Sequence, residues 1–332
     1  MPDRIAVLYS VVTSLGRGEP GDLLPDKETA AIAVGVTEAL RREGMDASLH
    51  PVRNSSEIAL VLAGMNPKKT VVFNLCEALG GVPSGSTTAT GEILAAETII
   101  RAGFRCTGAS PAALARCLDK GLTHEILAKA GVPVAPAQLF TRPDDHLRIP
   151  YPVIVKPAQE DCSLAIRDDS VVDNDRDLRE RVGRLIDTFR QPALVEKFLN
   201  GREFSVSIWG NAEPEVAGTG QIDFSSCDDP RRRLETFENK WSDRFPGVYP
   251  AGVSEQERAW LSDLGRTAYR AMDCQGYGRV DVREDSGEFY VLEVNPNPSL
   301  AKDAGFARAS EASGIPYGAM LRRIVGLASR PD

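Results

Sequence analysis

Residues 278–298 read GRVDVREDSGEFYVLEVNPNP, and this stretch decides the fold. Gly278 to Val282 and Phe289 to Val294 alternate as two strands around Asp285-Ser286-Gly287, a composition suited to a tight hairpin turn. Side chains two apart on a strand share a face, so Glu293 and Asn295 reach one point together, with Asp281 facing them across the hairpin. Two carboxylates and an amide are the hard ligands that Mg²⁺ prefers, with phosphate oxygens and water completing its shell. A charged surface hairpin presents the same pattern, so the rest of the chain has to decide.

Upstream of the hairpin, Ser254 and Glu257 form a capping box ahead of Trp260, Leu261, Leu264 and Ala268, which predicts a helix to about Met272. Asp223 to Pro250 is irregular and too long for a routine connection, the mark of a functional loop. Before it, strands are predicted at Val153 to Val155, Ala193 to Glu196 and Phe204 to Trp209. A helix from about Asp175 to Phe189 carries Leu178, Val182, Leu185, Ile186 and Phe189 on one face. Asp119 to Ala130 reads as a helix stopped by Gly131 and Pro133. Residues 4 to 110 alternate short apolar runs (Ile5 to Tyr9, Val71 to Leu75) with helical patterns (after Asp26, and Gly91 to Ala102), as in an open α/β layer of parallel strands. In such sheets the loops at the carboxyl ends of the strands build the ligand site. The expected division is an N-terminal α/β substrate domain over 1–115, a central subdomain over 116–210 and a C-terminal subdomain with the metal site over 211–332.

A formal net charge of −8 disfavours electrostatic capture of nucleic acid or an anionic membrane surface. No run approaches the roughly 20 apolar residues that span a bilayer, and Met1 to Tyr9 is a short apolar strand, not a secretory signal, so a cytoplasmic protein is expected. The six cysteines form no CxxC pair or zinc-like cluster and read as reduced thiols.

Lys156, at the end of an apolar strand, can offer a point charge to phosphate, and Lys120 in Leu118-Asp119-Lys120 can do the same. Glu196 and Glu203 can accept from an adenine amine and ribose hydroxyls. Each of these alone reads better as a solvated surface charge. In order along the chain, however, they sit within Val72-Phe73-Asn74-Leu75, Gly91-Glu92-Ile93-Leu94 with Thr107-Gly108, Leu118-Asp119-Lys120, Val153-Ile154-Val155-Lys156-Pro157, Val195-Glu196-Lys197-Phe198-Leu199 with Gly201-Arg202-Glu203-Phe204, Gly278-Arg279-Val280-Asp281 and Leu292-Glu293-Val294-Asn295-Pro296. This ordered set resembles the ATP-grasp ligases typified by D-alanine–D-alanine ligase.

The resemblance implies an α/β (α+β) chain in which an open α/β domain is followed by two ATP-grasp subdomains enclosing the nucleotide. It implies ATP and two Mg²⁺ ions as cofactors, small carboxylate and amine substrates, and allows a homodimer. Lys120 and Lys156 would hold ATP phosphates, Glu196 and the backbone of Lys197, Phe198 and Leu199 the adenine, and Glu203 the ribose. Asp281, Glu293 and Asn295 would bind the metal ions. Arg279 would stabilise oxyanion charge, and Lys240, in Glu238-Asn239-Lys240-Trp241, would close over the γ-phosphate. Ser299 stands where the family places a glycine whose backbone helps bind the oxyanion.

The departures gather around the amino-acid pockets. The phosphate-covering loop has become Glu160-Asp161-Cys162-Ser163-Leu164-Ala165, without glycines; Trp241 replaces a common tyrosine; and Glu77-Ala78 stands for a histidine-glycine pair. Glu19 or Glu28 could supply the glutamate for the substrate amine. With Glu77, Cys162, Ser163 and Trp241 in the substrate pocket, the expectation is a carboxylate-amine ligase of altered specificity, with ordinary D-alanyl-D-alanine synthesis and an ATP-grasp phosphotransferase as alternatives. A buried Glu77 would need a cationic partner, either on the substrate or from an arginine such as Arg101 or Arg105.

Overall fold

The computed structural model describes residues 2–11, 26–79, 90–161, 163–236, 238–239 and 244–328. The first sheet is wholly parallel, in the order β2-β1-β3-β4, and comprises β1 (Arg4–Ser10), β2 (Ala47–Val52), β3 (Thr70–Leu75) and β4 (Arg105–Cys106). β1 and β3 are apolar on both faces because helices cover both. On one side Ile5, Val7 and Phe73 pack with Val36 and Leu40 of α1 (Asp26–Arg42) and with Met320, Leu321 and Ile324 of the last helix. On the other, Leu8 and Val72 meet Ile58 and Leu62 of α2 (Ser55–Ala63) and Ala95 and Ile99 of α3 (Thr90–Arg101). Strand order reverses between β1 and β3, so the carboxyl end of β3, Asn74 to Glu77, opens on the crevice where open α/β sheets bind ligands.

Two short helices follow, α4 (Pro111–Leu118) and α5 (Lys120–Lys129). Asp119 ends the first and caps the second, its carboxylate accepting from the Leu122 amide at 2.9 Å, which puts Lys120 at the first helical position. The second sheet is antiparallel, order β5-β8-β6-β7, with β5 (Ala137–Phe140), β6 (Val153–Pro157), β7 (Val171–Val172) and β8 (Ala193–Lys197). α6 (Asp175–Phe189) covers it with Leu178, Val182, Leu185 and Phe189, the stripe expected from its spacing.

The third sheet has the order β11-β10-β9-β12-β13, with β9 (Glu203–Trp209), β10 (Glu215–Ile222), β11 (Gly247–Val248), β12 (Tyr277–Asp285) and β13 (Glu288–Pro296). Ser286 and Gly287, at φ 55° and 86°, form a two-residue turn whose left-handed residues match the strand twist. α7 (Glu255–Ala271), opened by the Ser254–Glu257 capping box, lays Leu261, Ala268 and Tyr269 on Phe204, Val206, Ile208, Val280 and Val282. α8 (Gly305–Ala312) crosses β10, and α9 (Tyr317–Ala328) returns to α1. β9 therefore belongs to a sheet that begins ahead of residue 211, and α5, through Leu127, packs in the core of that third sheet. No helix of the described residues is long and apolar enough to cross a membrane.

Candidate active site

Strand register organises the site. Gly220, Ser205, Asp281 and Glu293 are neighbours in one row across β10, β9, β12 and β13, and Gly218, Ser207, Arg279 and Asn295 form the next row on the same face. Asn295 Nδ2 donates to Asp281 Oδ2 at 2.8 Å and to Glu293 Oε1 at 3.0 Å, so all three side chains converge. Arg279 grips Asp281 through two hydrogen bonds of 2.7 and 2.8 Å. The register slips between Asp281 and Val282, so Leu292 has no cross-strand partner: a bulge beside the functional pair.

Asp281 and Glu293 are like charges directly opposite each other, an arrangement that costs stability unless cations surround it. Those cations come from other elements. Burial pushes the Glu293 carboxyl up, but Lys120, the Asn295 hydrogen bond, Lys156 and Arg279 together hold it down at about 2. Lys156, on β6, lies 2.6 Å from Glu196 Oε2 on β8, both nearly enclosed. Burial works against the Lys156 ammonium, yet Glu196 and Glu293 raise its pKa. Lys120 reaches the carbonyl of Glu160, and its amide donates to Ala158 O at 2.9 Å, tying the start of α5 to the segment after β6. Burial lowers the pKa of Lys120, with Glu293 pulling the other way. Three cations and three carboxylates from β6, β8, α5, β12 and β13 thus form one half-buried network.

At the far end of β8 the Lys197 and Phe198 amides donate to Pro136 O (2.9 Å) and Pro152 O (3.0 Å), and the Phe198 and Leu199 side chains are buried. Glu203 is held by Arg283, a guanidinium 2% exposed that lies 5.0 Å over the Phe224 ring. Burial pushes the Glu203 carboxyl up to about 7 against the pull of Arg283. Arg283 escaped the sequence reading, although it follows Arg279 and Asp281 at strand period and so shares their face. Ser163 and Ala165 take left-handed conformations, φ 58° and 61°, in the glycine-free segment expected to cover phosphate. Arg181 donates to the Ala165 carbonyl and, at 2.9 Å, to Ser170 Oγ, holding that conformation in place.

Glu77 and Ser299 line one small cleft with Asn74, Glu92, Tyr277 and Asn297. Glu77 is exposed there, which corrects the expectation of a buried carboxylate. Arg101 pairs with Glu97, and Arg105, at the amino end of the sheet, donates to Lys68 O. The enclosed acid is Glu92 instead, whose carboxyl burial drives well above its ordinary range. Asn297 donates to Glu92 Oε1 at 2.7 Å and accepts from the Ala109 amide at 2.8 Å, joining the segment after β13 to the N-terminal layer. A Cβ on Gly108 would lie 2.1 Å from Asn297 Oδ1, so only glycine permits this approach. Neither Glu92 nor Asn297 was assigned a role from sequence; an acid in a first helical turn and an asparagine between prolines both read as local capping and turn chemistry. Lys240, Trp241, Cys162 and Glu19 lie outside the described residues, and Glu28 is described only as backbone of α1.

The donor set suits a small divalent cation: oxygens of Asp281 and Glu293 sit within one hydrogen bond of a shared amide, whose own oxygen is the third hard donor. A parallel α/β layer, two antiparallel sheets and a charged network between them define the ATP-grasp class. The model of the D-ala D-ala ligase C-terminus matches residues 126–326, and the chain belongs to that family. It is 30% identical over 243 residues to a D-alanine–D-alanine ligase of Desulforudis audaxviator, covering 68% of this chain and 73% of the relative. It is 31% identical over 235 residues to the uncharacterized protein y4sG of Sinorhizobium fredii, covering 69% and 68%. The fold matches the D-alanine–D-alanine ligase of Bacillus anthracis complexed with ATP at a TM-score of 0.71, with 17% identity over 98% of this chain and 97% of that one.

Proposed function

We propose that the protein is an ATP-dependent, ADP-forming ligase that joins the carboxylate of one small amino-acid-like molecule to the amine of another. The observation that carries this reading is the convergence of Lys120, Lys156 and Arg279 on Asp281, Glu293 and Asn295. A carboxylate oxygen attacks the γ-phosphorus, the bond to the bridging oxygen breaks, and ADP leaves. The amine then adds to the acylphosphate carbon and phosphate departs. Lys120 and Lys156 neutralise phosphate charge, and Arg279, fixed by its bidentate grip on Asp281, faces the tetrahedral oxyanion. Mg²⁺ held by Asp281, Glu293 and Asn295 would screen charge between phosphoryl oxygens. Glu196 and the segment Lys197 to Leu199 border the adenine; with the Lys197 and Phe198 amides engaged, Leu199 supplies the main-chain contact. Glu203 accepts from the ribose.

Glu77 and Ser299 on one cavity support a donor pocket unlike that of an ordinary D-alanine–D-alanine ligase. The likeness to the Desulforudis audaxviator ligase favours a second reading, in which D-alanine fills both sites. Donor acids labelled with ¹⁸O in the carboxyl group test the chemistry: one label should appear in inorganic phosphate for each ADP formed. Phosphate without label would remove the acylphosphate, and D-alanine preferred over every other pair would restore the ordinary ligase.

A further inference from the structure

The glycine-free segment that follows β6 is anchored at both ends. It leaves Lys156 and Pro157 beside the cations of the network: Glu160 offers its carbonyl to Lys120, and Asp161 and Glu160 both pull the pKa of that ammonium up. Gln191, buried ahead of β8, holds the entry by donating to Glu160 Oε1 at 2.8 Å and accepting from the Gln159 amide. Further along, the segment turns on itself. The Leu164 amide donates to Asp161 O at 3.0 Å and the Ile166 amide to Ser163 O at 2.9 Å. Ser163 and Ala165 carry these turns in the left-handed region, which a Cβ disfavours and glycine accepts.

The exit is held by Arg181. It lies three residues after Leu178 and four before Leu185, on the apolar stripe of α6, and is 5% exposed. A guanidinium in such a stripe is costly to desolvate unless acceptors meet it. Three do: the Ala165 carbonyl, the Ser170 hydroxyl at 2.9 Å and the Asp169 carboxylate at 3.2 Å. Ser170, itself fully buried, also accepts from the Arg167 amide at 2.9 Å. One side chain of α6 therefore gathers the segment from Ala165 to Ser170. The Ala165 methyl packs in the same core as Leu178 and Val182, so the left-handed residue is fixed on that side as well.

We propose that Arg181 is a positioning residue for ATP: by holding Ala165 and Ser170 it keeps the phosphate cover formed before nucleotide arrives, in a segment that has no glycine to reach that shape unaided. The inference rests on the nucleotide site proposed above. A loop ordered in advance imposes no ordering cost on its ligand, so affinity for ATP depends on a side chain buried behind the segment.

Hydrogen exchange and calorimetry on the whole protein test this. Without nucleotide, the amides of Leu164, Ile166 and Arg167 should exchange well below the rate of an open loop, and Mg·ATP should slow them little further. Arg181→Met, which keeps length and apolar packing, should open those amides and weaken Mg·ATP binding by about 10- to 100-fold. Arg181→Lys should fall between the two. Adding Ala165→Gly to Arg181→Met should recover part of the affinity, because glycine takes the left-handed conformation without a tether. A wild-type segment that exchanges as an open loop until Mg·ATP protects it overturns the proposal. So does a folded Arg181→Met protein with wild-type affinity, or a loss that Ala165→Gly does not relieve at all. A wild type that binds no Mg·ATP sinks the nucleotide site and the positioning role with it, and calorimetry of the wild type alone tells that failure from the others.

Discussion

Phe204, Val206, Ile208, Val280 and Val282 point to one face of the five-stranded sheet, and Glu203, Ser205, Ser207, Arg279, Asp281 and Arg283 to the other. The same two strands supply both sets. The apolar face is closed by α7 and holds the sheet together through burial alone, tolerant of any side chain of similar volume. On the polar face each charge is balanced by a particular partner, so that identity matters more than volume. Substitutions should therefore separate activity from stability according to the face they touch.

The largest effect is expected at Glu293. Glu293→Gln should lower turnover by about 10²- to 10³-fold or more, since on the proposed function it removes a metal ligand and a charge aimed at the phosphoryl site. The protein should still fold, because no core volume is lost, with a modest fall in melting temperature at neutral pH, since a carboxyl held down at about 2 stabilises the folded state when ionised. Near-normal turnover at saturating Mg²⁺ would break the comparison from the polar side. Ile208→Ala, on the apolar face, should do the reverse: about 2–5 kcal/mol of stability lost in denaturant titration with kcat retained in the protein that remains folded. A smaller loss of nucleotide affinity, about 10- to 100-fold by calorimetry, is expected for Lys156→Met, which removes one charge-assisted phosphate contact. Unchanged affinity would place that lysine outside the site.

The smallest effect concerns Glu203. A carboxyl raised to about 7 favours the folded state while it is protonated, so this contribution is complete below about 4.5 and lost as pH rises through about 7. The melting temperature of the unliganded wild type should fall relative to Glu203→Gln between pH 5 and pH 8. Parallel curves would mean that Arg283 keeps Glu203 charged throughout.

Period-two alternation is the reason the hairpin was legible in the sequence: once Gly278 to Val282 and Phe289 to Val294 are strands, the convergence of Asp281, Glu293 and Asn295 follows. Capping made α7 readable, since Ser254 and Glu257 state where it begins. What stayed hidden depends on contacts between distant segments. β10, over Glu215–Ile222, carries Gly218 and Gly220 where a strand normally places larger residues, and those glycines make sense only against α8 and Tyr249. The Asn297–Glu92 bond joins residues 205 positions apart and has no local signature. Glu77 lies on the same cleft as Ser299, but its exposure could not be read from the motif, which fixes its place in the chain and not its surroundings.

A ligase of this kind couples ATP cleavage to the joining of two substrates. Pairs of carboxylate and amine compounds should be incubated with the protein and Mg·ATP, with ADP release and product mass followed in the same samples. ADP formed in proportion to an amide that carries both substrates, and only when both are present, is the predicted result. ADP formed with a single substrate, together with a stable phosphorylated product and no amide from any pair, would contradict it.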